Sequence, residues 1–252
     1  MVTFLCRDEF NSILCGVYDA WMSRLGHVHV KLELEDSYEP ELFTEYRVVE
    51  ETEEKLTKVI TAIRDKISME AYEWIYRAAL SGEVGKSDKI YRFLIDGFHY
   101  GASVTGKINE AAVYELFRMN RATSNEAHQL IEFVRFSEMK EKLLFSKIAP
   151  KNDVISLIAP HFADRLCSES WIIYDVNRKK AAVYAPGHRW LIFSADHDEW
   201  QEKLSEVTDE KNYETLWKTF CTRIAITERM NPTSQRNHLP LRYRPYMTEF
   251  HN

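Results

Sequence analysis

Apolar and polar positions alternate along this chain in two periods, and the switch between them divides it. From Phe10 to Leu25, apolar residues recur at helical spacing (Phe10, Ile13, Leu14, Val17, Tyr18, Trp21, Leu25), and Gly26 ends the run. A short strand over Val2–Cys6 precedes that helix, with Asp8 as its expected N-cap. Val28–Leu34 alternates as a half-exposed strand does, which places His29 on the solvent side. Tyr46–Val49 reads as a third strand. Helical spacing then returns over Glu53–Ile67, Met69–Leu80, a segment opened by Ser87, and the long run Asn109–Ile131.

After Ile131 the period falls to two. Phe133–Phe136 and Leu143–Ile148 read as a hairpin, Asp153–Leu166 as a helix interrupted by Pro160, and Trp171–Tyr174 with Ala181–Tyr184 as a second hairpin. Trp190–Phe193 is a fifth strand, and Asp196 opens a further helix. The expected class is α+β. A small α/β region and a helical block precede an antiparallel sheet of about five strands in the order ββαβββα, with helices on one face. The expected division is 1–82, an α/β region with an acidic segment, and 83–252, the helical block, the sheet domain and an Arg/Tyr-rich tail.

Charge changes this picture. The net charge of −6 weighs against nucleic acid as a partner. However, Glu33–Glu54 holds ten carboxylates against one base, Arg47, so this segment carries −9 and the remainder +3. Phe133–Arg189 holds ten Lys/Arg against six Asp/Glu, which allows a basic face on that part.

Cys6, Cys15, Cys167 and Cys221 are scattered and form no C-x-x-C pair, so no metal framework and no cofactor is expected. They read as reduced thiols of a cytoplasmic protein. No signal peptide is recognisable, and no apolar run approaches the ~20 residues that span a bilayer. Gly82–Ser87 ends in Gly-Lys-Ser, but its first glycine is two residues too close for a phosphate loop and a helix precedes it. It reads as a turn between helices.

The candidate chemistry lies in the second part. His161 and Arg165 share a helical face and could hold a phosphate or orient a base. Asp175 ends a strand, where a carboxylate serves as a general base or starts an Asx turn. Arg178, with Lys179 and Lys180, forms a basic turn suited to phosphate contact or simply to solvent. Arg135 and Trp171 fall on strands that could present a stacking surface or pack on a helix. In the tail, Arg236, Arg242 and Arg244 interleave with Tyr243 and Tyr246, and acids are absent from Asn231 to Thr248. That pattern suits nucleic-acid contact, or a tail wrapped on its own domain. His128 is a further polar candidate.

Several short patterns occur in a fixed order: Val17-Tyr18-Asp19-Ala20, Glu126-Ala127-His128, Phe133-Val134-Arg135-Phe136, and Ile148-x-Pro150 before Asn152. His161-Phe162-x-x-Arg165, Trp171-Ile172-Ile173-Tyr174-Asp175-x-x-Arg178, and Asn231-Pro232 through Pro240-x-Arg242-Tyr243 to Glu249 follow. Together they resemble a bacterial family described as DNA-metabolism or DNA-repair proteins. Its shared domain has no assigned function and also occurs fused to uracil-DNA glycosylase-like domains. The resemblance covers most of the chain and is densest after about Leu80. It implies a DNA setting, with a DNA-acting radical enzyme as a partner, and assigns no catalytic residues.

Three functions follow as expectations. The first is an accessory protein that binds DNA or a DNA-acting enzyme through Arg135, Arg178, Arg236, Arg242, Tyr243 and Arg244. The second is an enzyme acting on a nucleobase or phosphodiester through His161, Arg165 and Asp175. The third is a protein-interaction module docking a basic partner on Glu33–Glu54.

Overall fold

The computed structural model describes residues 1–139, 142–194, 239–247 and 250. The chain forms two compact units, Met1–Ser124 and Asn125–Asn252. This boundary lies beyond Gly82, where the sequence pattern placed it, because the helical block shares its core with the N-terminal strands.

The first unit is built on three parallel strands in the order β2-β1-β3: β1 (Val2–Cys6), β2 (Val30–Leu34) and β3 (Glu45–Val48). Helix α1 (Phe10–Met22) makes the crossover from β1 to β2. It approaches β1 closely at Gly16, where any Cβ would collide with the buried Cys6 thiol. Burial first, and then the charges of Glu35 and Asp19, push that thiol's pKa up to about 12. Glu9 rather than Asp8 occupies the N-cap of α1, without a side-chain bond. Helices α2 (Glu53–Lys66) and α3 (Met69–Ala79) are each capped by a side chain. Thr52 accepts from the Lys55 amide at 3.3 Å, and Ser68 accepts from the Ala71 amide at 3.0 Å.

Helix α4 (Lys86–Tyr100) closes the outer edge of β2 with side chains instead of a fourth strand. Ser87 donates to the Leu32 carbonyl at 3.0 Å, and Asp88 accepts from the Leu32 amide at 3.3 Å. Arg92 donates to the His27 and Val30 carbonyls, both at 2.6 Å, and is held by Asp88. Ser87 is therefore not a helix cap; its hydroxyl is spent on β2. Lys86 is likewise turned inward, donating to the Ser81 carbonyl at 2.6 Å and pairing with Asp8 at 2.5 Å. The Gly-Lys-Ser turn is thus structural, with its ammonium and hydroxyl both bonded within the unit.

Helix α5 (Ala111–Phe133) carries the chain into the second unit. Its apolar pattern persists to Phe133, so Phe133–Phe136 is not a strand; the strand there is only β4 (Ser137–Glu138). Among the described residues, the sheet has five strands in sequential order: β4, β5 (Leu144–Ile148), β6 (Trp171–Asp175), β7 (Lys180–Tyr184) and β8 (Leu191–Ser194). The fold is α+β, as expected, but the sheet is mixed. Strands β5 and β6 run parallel because α6 (Ile155–Arg165) lies between them as a crossover; the other pairings are antiparallel. Ile148, Trp171, Ile173, Ala182 and Tyr184 pack under α6 on one face, and Phe145, Ile172, Tyr174 and Ala181 cluster on the other. The helix expected after Asp196 falls outside the described residues. Among those described, no helix is long and apolar enough to cross a membrane.

The edge contacts of α4 make a specific expectation. Asp88→Ala leaves the Leu32 amide without its acceptor and frees Arg92 from its anchor. The first unit should lose about 1–3 kcal/mol in urea unfolding. Hydrogen exchange at the Leu32 amide should accelerate, while the β1 amides keep their relative protection.

Candidate functional site

Crossover geometry fixes the two ends of the second unit's sheet. A helix joining parallel strands runs back against them. The start of α6 therefore lies at the carboxyl ends of β5 and β6, and its end lies at their amino ends. One contact confirms this: the Tyr184 hydroxyl, on the β7 residue opposite Trp171, donates to the Cys167 carbonyl just past α6 at 3.1 Å.

The carboxyl rim centres on loop 149–153. Glu126, buried on α5, grips it from one side. One carboxylate oxygen accepts from the Lys151 amide (3.0 Å), the Arg242 guanidinium (2.7 Å) and the Tyr243 hydroxyl (3.0 Å). The other accepts from the Asn152 amide (2.8 Å) and the Asn152 side chain (2.7 Å). Burial alone would raise the Glu126 pKa. The Lys151 and Asn152 amides, the Tyr243 hydroxyl and the Arg242 charge outweigh it and hold the carboxyl below its ordinary value. Tyr243, buried beside this carboxylate, is pushed up by burial and by the charge of Glu126.

Asp175 and Arg178 grip the loop from the other side. Asp175 is completely buried at the end of β6. It accepts from the Asn177 amide at 2.9 Å and the Arg178 amide at 3.3 Å, forming an Asx turn. Arg178 pairs with it at 3.2 Å and reaches the Pro150 and Lys151 carbonyls at 3.3 and 2.5 Å. Asn177 adds a bond to the Pro150 carbonyl at 2.9 Å. Desolvation raises the Asp175 pKa, and the neighbouring Arg178 opposes that rise. Lys180 and Asp153 close the ring as an ion pair at 2.7 Å.

Most of the proposed nucleic-acid residues gather around this rim, but their guanidiniums point into the protein. Arg135, placed toward the carboxyl end of β5 by the β4 register, donates to the Glu132 and Val134 carbonyls at the end of α5. Arg242 and Arg244 lie on the 3₁₀ segment Leu241–Tyr246. Arg242 is over the Tyr243 ring at 4.6 Å, and Arg244 is over the Phe250 ring at 4.7 Å. Arg236 lies outside the described residues. The exposed charge comes instead from Lys147, Lys151 and Lys179, none of which has an acidic partner among the described residues.

His161 and Arg165 do not join Asp175. They occupy the later part of α6, toward the amino ends of the strands, whereas Asp175 sits four residues along β6 from Trp171, roughly 13 Å away. Trp171 is fully buried and stacked on Tyr184, with ring centroids 5.5 Å apart, so it is not a stacking platform for an outside base. His128 lies on the exposed side of α5 beside Glu132, at 3.3 Å. Among the described residues, no group of three or more His, Cys, Asp or Glu could hold a metal ion.

A family model for DUF4130, a domain of unknown function, matches residues 84–249. The chain belongs to the DUF4130 family. The match starts two residues before α4 and runs through α5 and the whole sheet of the second unit, so the DUF4130 region contains the entire rim. No curated protein matches the chain.

The central residue of this DUF4130 rim, Glu126, belongs to the pattern Glu126-Ala127-His128 but is not among the expected site residues. The signal for it was present: Glu126 shares one helical stripe with Thr123, Ala127 and Leu130, all buried, and a carboxylate on an inward stripe must be paired. Pairing has a pH consequence. A carboxyl held below its unfolded-state pKa stabilises the fold above the ordinary carboxylate range, and this contribution is lost as pH falls through the folded value. Glu126→Gln should cost about 3 kcal/mol at neutral pH, because Arg242 loses its counter-charge in a buried site. The gap between wild type and variant should narrow in acid unfolding followed by circular dichroism.

Proposed function

We propose that the second unit is a binding module that engages DNA, or a DNA-acting radical enzyme, in an accessory role in DNA metabolism. The observation that supports this most directly is the division of charge at the carboxyl rim. The acids there are neutralised inside the fold: Glu126 by Arg242, Asp175 by Arg178, and Asp153 by Lys180. Lys147, Lys151 and Lys179 remain exposed around them. Lysines near a strand end, on the loop after it and at a hairpin tip suit phosphate contact, which needs charge more than directional bonding.

Catalysis through His161, Arg165 and Asp175 has weaker support, since the three lie at different ends of the sheet. The groove of about 440 Å³ between α1 and α2, lined by Val17, Tyr18, Trp21, Met22 and Phe98 among others, borders none of them.

The test is equilibrium binding to single- and double-stranded DNA across a salt series. Changing Lys147, Lys151 and Lys179 together to Ala should weaken binding. It should also reduce the slope of log K against log salt on duplex DNA by about 3, near 0.9 per lost phosphate contact. An unchanged slope, or no binding by the wild type at about 50 mM salt, would remove direct DNA contact and leave the enzyme partner. Arg242→Ala should act mainly on stability, because its charge is already used by Glu126.

A further inference from the structure

Strand β3 is an exposed edge with an unusual approach. Strand β2 has its outer edge covered by α4, but β3 pairs only with β1 among the described residues. Leu42 and Phe43, one residue short of it, are 88% and 98% exposed, and Val48 at its end is 72% exposed. Phe43 adopts a left-handed backbone, φ 60°, which is costly for a bulky residue. The fold therefore spends strain to hold an aromatic ring in water, beside an open sheet edge.

Backbone parity dictates what this edge can accept. Glu45 and Val49 donate their amides to the Met1 and Leu5 carbonyls of the β1 chain, so alternate residues face inward. Tyr46 and Val48 then present their amide and carbonyl groups outward, as does Thr44. An antiparallel partner strand must place outward groups opposite outward groups. For a second copy of this chain, the register that uses all three sets Tyr46 against Tyr46 and Thr44 against Val48. That register puts Glu45 of each copy directly opposite Arg47 of the other. Glu45 and Arg47 are both exposed and already pair along the strand at 2.8 Å, so each has an opposite charge to exchange. Such close, non-hydrogen-bonded positions are where cross-strand charge pairs act most strongly.

We propose that β3 is the contact edge of a symmetric dimer, joining two three-stranded sheets into one of six strands. The twofold axis passes through Tyr46, two Glu45–Arg47 pairs flank it, and Leu42 and Phe43 of each copy lie beside the Val48 end of the other. The contact is isologous, so it closes at two copies. It also gives the acidic segment an attractive contact with itself, since Arg47, the one base within it, lies in the contact.

The experiment is sedimentation velocity on the full chain across a concentration series. The wild type should show a reversible monomer–dimer equilibrium. Arg47→Glu and Glu45→Arg should each weaken it about tenfold, because each change places like charges opposite one another twice. The combined swap Glu45→Arg/Arg47→Glu should restore it. Val48→Pro, which deletes an outward amide, should abolish it. All three positions are on the surface, and unchanged thermal unfolding of the charge variants would show that the fold is kept. A monomer at every concentration overturns the proposal. So does a dimer indifferent to the single charge changes, a combined swap that fails to restore association, or a dimer broken by Phe193→Glu on β8 instead.

Discussion

A buried carboxylate with five donors carries the architecture of the second unit. Glu126 lies on α5, its amide donors come from the loop after β5, and its remaining donors come from the 3₁₀ segment at the C-terminal end. These pieces are distant in sequence and meet on this one group. An isolated buried charge is prohibitively costly, so the loop and the C-terminal segment must be in place together. This couples the C-terminal segment to the sheet far more tightly than its irregular sequence suggests. Tyr243 of this segment and Met247 directly after it join the apolar core under α6.

Arginine and lysine divide the work at this rim. Arg178 reaches two carbonyls and a carboxylate at once, and Arg242 bridges a carboxylate and a phenol. A planar fork with several fixed donors suits this role, and a lysine would not reproduce it. The lysines project into solvent. Basic residues in a sequence therefore do not all count toward a binding surface. Those with a fixed geometric task inside the fold are spent, and only the remainder set the outer potential.

The strands and most helices were legible because each buries one face at a regular period. Trp171–Asp175, which has every residue buried, and its partner Lys180–Tyr184 were found nearly to the residue. What the pattern does not encode has a common cause. Periodicity reports that a strand exists, not which way its neighbour runs, so the parallel β5–β6 pairing is not legible in it. A short apolar run such as Phe133–Phe136 fits the end of a helix as well as a strand. The site was half legible. Arg178, Arg242 and Tyr243 were picked out as polar residues that matter, and they do meet on one rim. Their inward direction depends on Glu126 and Pro150, contacts of long sequence separation that no local pattern encodes. Asp175 was legible as an Asx turn, which is the geometry it adopts.

The two edges of the first unit's sheet show how its surface is allocated. On β2, three side chains of α4 satisfy the outward carbonyl and amide of Leu32 and the carbonyl of Val30. Protecting an edge with side chains requires a helix fixed alongside it, and α4 is held there by its own buried Ile90, Phe93 and Leu94. On β3 no such cover is built among the described residues. Soluble proteins usually blunt an open edge with charge, a bulge or a short strand. Here the strand is short and its flank is acidic, which disfavours pairing with most chains. Against that background, a single arginine placed two residues from a glutamate, with Tyr46 between them, makes the edge repel generic acidic strands yet match its own copy. Selectivity of this kind needs both the repulsive surroundings and the one complementary register, and β3 carries both in four residues.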